Sequence, residues 1–290
     1  MPKRASSSPL AQVKRSLRQL DLKARKSLGQ HFLVDEAALE DIVLAAELTM
    51  EDVVIEVGPG LGVLTGELAG RSGEVIAIEL DTKLASFLEH RFSSFSNVAV
   101  INADILEVRL SQLVEGRGNY KVVANLPYYI TSPVLRHFLE ASVRPSLMVV
   151  TVQKEVGEVI TARPGEMTLL AISVQLYSKP TIISYVPASS FYPPPKVDSV
   201  IVRFDLLPEP AVKVADVNGF FKVVRCGFSS PRKQLRNSLA QGLGVVPAVV
   251  ASLLEEAGIE PQRRAETLCL EEWERLYESL VALKGSKVLC

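Results

Sequence analysis

An apolar run that stops at a cluster of glycines constrains this chain more than any other feature. Asp52 to Val57 reads as a buried strand, Gly58-Pro59-Gly60-Leu61-Gly62 as a tight turn, and Val63 to Ala69 as a helix. Glycines at such a turn let a ligand approach the backbone and leave a helix N-terminus facing it. A second apolar run, Val75 to Ile78, ends at Glu79, about twenty residues past the turn, where an acid can accept both hydroxyls of a ribose. The spacing is G-x-G-x-G, which departs from the G-x-G-x-x-G of dinucleotide binders. A plain strand-turn-helix with an exposed Glu has the same letters.

The alternation continues. Val98 to Ile101 is a third strand, and Asp104 beyond it is placed either to accept a hydrogen bond from an adenine amino group or to cap a helix. Lys121 to Leu126 is a fourth strand that ends in Asn125-Leu126-Pro127-Tyr128-Tyr129. Pro127 removes a backbone donor and biases Leu126 towards extended geometry, which leaves the Leu126 carbonyl free beside the Asn125 amide. Two acceptors and an aromatic face suit an exocyclic amino group on a flat heterocycle; a proline turn with packed tyrosines is the plainer alternative. A helix over 132–140, a strand over 147–152, helices over 155–161 and 168–177, and strands over 181–186 and 199–204 follow. The last two strands are joined by Ser190-Phe191-Tyr192-Pro193-Pro194-Pro195-Lys196-Val197-Asp198. Consecutive prolines stiffen this loop, so Phe191 serves either as a second wall of a base sandwich opposite Tyr128 or as a core residue in a rigid connector.

Leu207-Pro208-Glu209-Pro210 reads as a linker, and after it only helical patterns remain, over 217–227, 231–241, 247–257 and 271–283. Lys222, Arg225, Arg232, Lys233 and Arg236 cluster there and suit a phosphate backbone, although a solvated helix face has the same composition. The net charge of −1 does not announce a nucleic-acid binder, so local distribution carries that reading. Three cysteines without a CxxC pair suggest neither a disulfide framework nor a zinc site, and a reducing compartment follows. No apolar run approaches the ~20 residues of a membrane span. In the basic N-terminus, Lys14, Arg15, Arg18, Lys23, Arg25 and Lys26 interleave with Leu17, Leu20 and Leu22, which reads as a short amphipathic helix and then a basic loop; the whole is read as a solvated arm over 1–26 in preference to an organellar transit peptide.

Taken in order, GQHFL, EVGPGLGVLT, IELD, NADIL, NLPYYI, FYPPPKVDS and RKQLRNSL resemble the ribosomal RNA adenine dimethyltransferases, most closely the bacterial small-subunit type. The resemblance runs from about Lys26 to the C-terminal helices. It implies an α/β fold of the class I, Rossmann-like methyltransferase kind over 27–207 and a small all-α RNA-contacting domain over 208–290. It also implies S-adenosyl-L-methionine as cofactor, and dimethylation at N6 of two adjacent adenosines in a hairpin loop near the 3′ end of small-subunit rRNA. The expected protein is a cytoplasmic monomer acting on that rRNA or a pre-30S particle, contributing to ribosome biogenesis, with no membrane partner. By motif position, the cofactor contacts are His31, Leu33, Gly58, Gly60, Glu79, Asp104 and Asn125, and the target-base residues are Asn125, Leu126, Tyr128 and Phe191. His31 stands where many relatives have Asn, and Pro231 replaces the first of two adjacent arginines. Competing readings are a nicotinamide-dependent oxidoreductase, which gives Asn125 to Tyr128 no purpose, a large-subunit rRNA methylase, and a non-catalytic assembly or transcription factor.

Overall fold

Helix α1 (Pro9–Gln19) opens the described part of the chain, residues 9–20 and 30–285 of a computed structural model. There follow β1 (Phe32–Leu33), α2 (Glu36–Ala45), β2 (Val53–Val57), α3 (Val63–Ala69), β3 (Glu74–Glu79), α4 (Thr82–Arg91), β4 (Val98–Asn102), α5 (Leu110–Leu113), β5 (Tyr120–Asn125), α6 (Thr131–Leu139) and β6 (Leu147–Gln153). Then come α7 (Lys154–Ile160), α8 (Leu169–Gln175), β7 (Ser178–Val186), β8 (Phe191–Tyr192), β9 (Ser199–Leu206), α9 (Val217–Phe228), α10 (Leu235–Leu243), α11 (Pro247–Glu256) and α12 (Leu270–Gly285). Asp35 caps α2 by accepting the Ala37 and Ala38 N–H groups at 3.0 and 3.3 Å. That helix ends at Ala45, because Glu47 takes a left-handed φ of 46° that no α-helix accommodates.

The main sheet has the order β4-β3-β2-β5-β6-β9-β7. Strands β4 to β6 in that order are parallel, and β9 runs antiparallel to β6. Val54, Ile55, Val122, Val123, Ala124, Val149 and Val150 are fully buried, as expected of parallel strands covered on both faces. The chain builds outward from β2 in both directions, so β2 and β5 flank a topological switch point, where such sheets open a cleft at their carboxyl ends. Gly58 and Asn125 stand at those two ends. A separate antiparallel ribbon pairs Phe32 with Tyr192 and Leu33 with Phe191.

The chain divides into two compact units, residues 1–157 with 179–206 and residues 158–178 with 207–290. The second is helical and packs around the buried Trp273, Phe220, Leu239 and Leu276. Gly227 lets α9 approach α12, since a Cβ there would lie 2.3 Å from the Trp273 ring. Among the described residues no single helix is long and apolar enough to cross a membrane.

Three expectations are corrected. Residues 158–178 group with the helical unit and not with a 27–207 domain. The helix expected from Pro231 starts at Leu235, because Lys233 N–H closes a turn on the Ser230 carbonyl at 2.9 Å and Gln234 is extended, so Arg232 and Lys233 precede it. The described part of the N-terminal arm is the packed helix α1, with Val13 and Leu17 only 1% and 7% exposed; Lys23, Arg25 and Lys26 lie outside the described residues.

Candidate active site

A cavity opens at the carboxyl ends of the central strands, lined by the glycine turn, Glu56, Glu79, Asp104, Asn125, Leu126 and Tyr128 among others. Its first half is carried by β2, β3 and β4. Gly58 and Gly60 have φ of 66° and 59°, which a side chain would strain, and a Cβ on Gly60 would lie 3.0 Å from the Phe32 ring. Glu79 faces the turn. One of its oxygens accepts the Gly60 N–H at 3.1 Å and the other the Asp81 N–H at 2.9 Å, leaving further lone pairs on each. Burial pushes its carboxyl above the usual range, and the two backbone donors partly offset this. Asp104 lines the cavity and also caps a 3-10 turn by accepting the Leu106 N–H at 2.9 Å, the capping role read for it.

Sequence reasoning passed over Glu56. It is 1% exposed, lines the cavity, and accepts the Thr65 hydroxyl at 2.6 Å. Burial, with the nearby Glu79 charge, pushes its carboxyl up to about 8. The causes acting on Glu56 and Glu79 include no lysine or arginine among the described residues. The signal was available: an acid inside the otherwise apolar Val-Val-Ile-Glu-Val strand is unusual in a position covered on both faces.

The second half is held by segments from far along the chain. The Asn125 amide donates to the His31 carbonyl at 3.1 Å, which fixes the side chain, and among the described residues nothing donates to Oδ1. Leu126 N–H donates to the Thr151 carbonyl at 3.2 Å, and among the described residues nothing donates to the Leu126 carbonyl. The Tyr128 hydroxyl shares a 2.6 Å hydrogen bond with Ser199 Oγ, and its ring stacks on His31 at 5.6 Å between centroids. Burial raises the Tyr128 hydroxyl above its ordinary range, so it stays neutral. His31 Nδ1 donates to the Pro193 carbonyl at 2.7 Å. The proline loop therefore acts as a clamp through Pro193 and Ser199.

This corrects the placement of Phe191. Its side chain is 2% exposed, belongs to the core with Leu33, Ile42 and Ile201, and is not among the residues lining the cavity. Its packing is that of the core residue in a rigid connector, the second of the two readings of this loop. Leu33 and His31 do line the cavity. Lys222 and Arg225 are exposed on α9, Arg232 and Lys233 are exposed in the turn before α10, and Arg236 is half-buried on α10. Lys233 Nζ donates to Gln241 at 3.1 Å.

The profile of the family described as Ribosomal RNA adenine dimethylase matches residues 21–282. A Ribosomal RNA small subunit methyltransferase A from Dehalococcoides mccartyi is 50% identical over 277 residues, covering 95% of each chain. The protein of the same name from Clostridium botulinum is 41% identical over 270 residues, covering 92% of this chain and 98% of its own. Among solved structures, the 23S rRNA methyltransferase ErmE matches with a TM-score of 0.69 at 29% identity, covering 86% of this chain and 99% of its own. A dimethyladenosine transferase from Plasmodium falciparum matches with a TM-score of 0.74 at 25% identity, covering 89% and 98%.

Proposed function

The chain belongs to the ribosomal RNA adenine dimethylase family, and from that premise we propose that it dimethylates N6 of two adjacent adenosines in the 3′-terminal hairpin loop of small-subunit rRNA, using S-adenosyl-L-methionine. The observation that carries this reading is the pair of uncommitted acceptors, Asn125 Oδ1 and the Leu126 carbonyl, lining the same cavity as the glycine turn and Glu79. Relatives at 50% and 41% identity are small-subunit enzymes by name, against 29% for the large-subunit enzyme, which favours the small-subunit target.

The residues present fit the cofactor. Two buried acids with no cationic partner among the described residues suit a ligand that brings positive charge, since such acids otherwise stay protonated or unfavourably desolvated. All seven assigned residues line the one cavity, where Glu79 would take the ribose hydroxyls, Asp104 an adenine amine, and His31, Leu33, Gly58, Gly60 and Asn125 the remainder. When bound, S-adenosylmethionine supplies an electrophilic methyl group on a sulfonium.

Asn125 Oδ1 and the Leu126 carbonyl accept the two N6 hydrogens of the extruded adenine. These bonds favour a pyramidal nitrogen and stabilise the positive charge that builds on it, and the excess proton then passes to water. Tyr128, fixed by Ser199 and His31, offers its ring to the base, a contact of ~1–3 kcal/mol in comparable systems. After one transfer a single N–H remains and the amine must rotate before reacting again. After two, neither acceptor has a donor, which favours release of the dimethylated product. Lys222, Arg225, Arg232, Lys233 and Arg236 would contact RNA phosphates, with the protein acting as a cytoplasmic monomer on the rRNA or a pre-30S particle. Small-subunit rRNA from cells lacking the protein, incubated with it and the cofactor, should gain N6,N6-dimethyladenosine near its 3′ end by mass spectrometry. Modification confined to large-subunit rRNA, or none, overturns the reading.

A further inference from the structure

Helix α1 is amphipathic, as the interleaved leucines and cations suggest, but its apolar face is packed and not solvated. Val13, Leu17 and Leu20 form a stripe at helical spacing that packs with Phe32, Leu61 and Leu84, and these three residues also line the cavity. The helix thus backs the wall made by the glycine turn. Lys14 lies 5.2 Å over the Tyr192 ring, and Tyr192 immediately precedes the Pro193 whose carbonyl holds His31.

The opposite face carries Lys14, Arg15 and Arg18, all exposed, and the helix has no acidic residue. No acidic side chain pairs with them among the described residues. Lys14 and Arg18 stand one turn apart, where like charges destabilise a helix. In a chain of net charge −1 this concentration is not a by-product of composition. We propose that the basic face of α1 binds RNA phosphates beside the cavity, and that α1 thereby couples RNA engagement to retention of the cofactor. The inference rests on the RNA reading above and extends it to a segment outside the C-terminal cations. An anionic membrane is the lesser fit, because the apolar stripe is already buried against the cavity wall and has nothing left to insert.

The test compares wild type with R15Q/R18Q, a surface variant that leaves the packed stripe and the Lys14–Tyr192 contact intact. Fluorescence anisotropy with a hairpin of the small-subunit 3′ end, titrated across salt, should show the variant binding roughly tenfold or more weaker, with a log–log salt slope reduced by about two. Calorimetry without RNA should give the same cofactor affinity for both proteins. Adding the hairpin should tighten the cofactor in wild type and not in the variant. Equal RNA affinity and salt slope in the two proteins overturns the role of α1 while leaving the enzyme reading untouched. A wild-type protein that neither binds nor methylates the hairpin overturns the enzyme reading itself. Charge-dependent binding to phosphatidylglycerol vesicles, without any effect of the variant on RNA, also overturns the proposal in favour of a membrane.

Discussion

The two halves of the cavity are built differently. Gly58 follows β2 directly, and Glu79 ends the neighbouring strand in the next register position after the pair Val57 and Ile78, so this half is set by adjacent secondary structure. The half around Asn125 is assembled across the chain: Asn125 to His31 spans 94 positions, Tyr128 to Ser199 spans 71, and His31 to Pro193 spans 162. A locally built half fails through backbone strain and lost burial. A half clamped from a distance fails through loss of position, with stability mostly preserved.

The contrast is broken most strongly at Gly60. Gly60→Ala forces a side chain into φ of 59° against the Phe32 ring. It should cost about 1–3 kcal/mol of stability and weaken the cofactor roughly tenfold or more, read by melting temperature and calorimetry. An unchanged melting temperature and affinity would contradict the local account. Glu56 sharpens the same half through pH. Because burial lifts its carboxyl from 4.5 to about 8, the empty native protein holds a proton in that window that the unfolded chain has lost. Its contribution is present below 4.5 and falls as pH rises towards 8. A cationic ligand favours the ionised form, so cofactor affinity should rise with pH across the window, by at most about tenfold per unit. Calorimetry at several pH values checks this, and Glu56→Gln should flatten the profile.

On the clamped side the expected effects are smaller. Ser199→Ala removes the hydrogen bond that fixes the Tyr128 hydroxyl, and kcat should fall by about three- to tenfold, in line with one hydrogen bond of ~0.5–1.5 kcal/mol. A kcat at the wild-type value would show that Tyr128 needs no such support. Phe191→Leu should lower stability by about 1 kcal/mol while leaving kcat/KM almost unchanged, because Phe191 is core. A large loss of kcat/KM with intact stability would restore Phe191 as a wall for the base.

The same contrast explains what was legible in the sequence. The parallel strands, the glycine turn, Glu79 and Asp104 were readable because each depends on residues next to it, and seven ordered motifs fixed the family resemblance. Asn125 and Leu126 were readable as acceptors, since Pro127 advertises the end of β5. The partners that orient them were not, because nothing near Ser199 or Pro193 records that Tyr128 and His31 meet them. Phe191 was left between two roles for the same reason: the core it packs into, with Leu33 and Ile42, comes from well over a hundred residues away. The first turn of α10 was misjudged because Pro231 is tolerated at a helix start, and only the hydrogen bond from Lys233 to Ser230 shows that a separate turn comes first.

The central claim is that two acceptors at the end of β5 grip the target amine during transfer. Single-turnover methylation of the hairpin by Asn125→Ala tests it most directly. The rate should fall by about 10²–10³-fold, as for loss of one preorganised group stabilising a transition-state charge, with RNA affinity held within about threefold. A variant that dimethylates at close to the wild-type rate contradicts the claim.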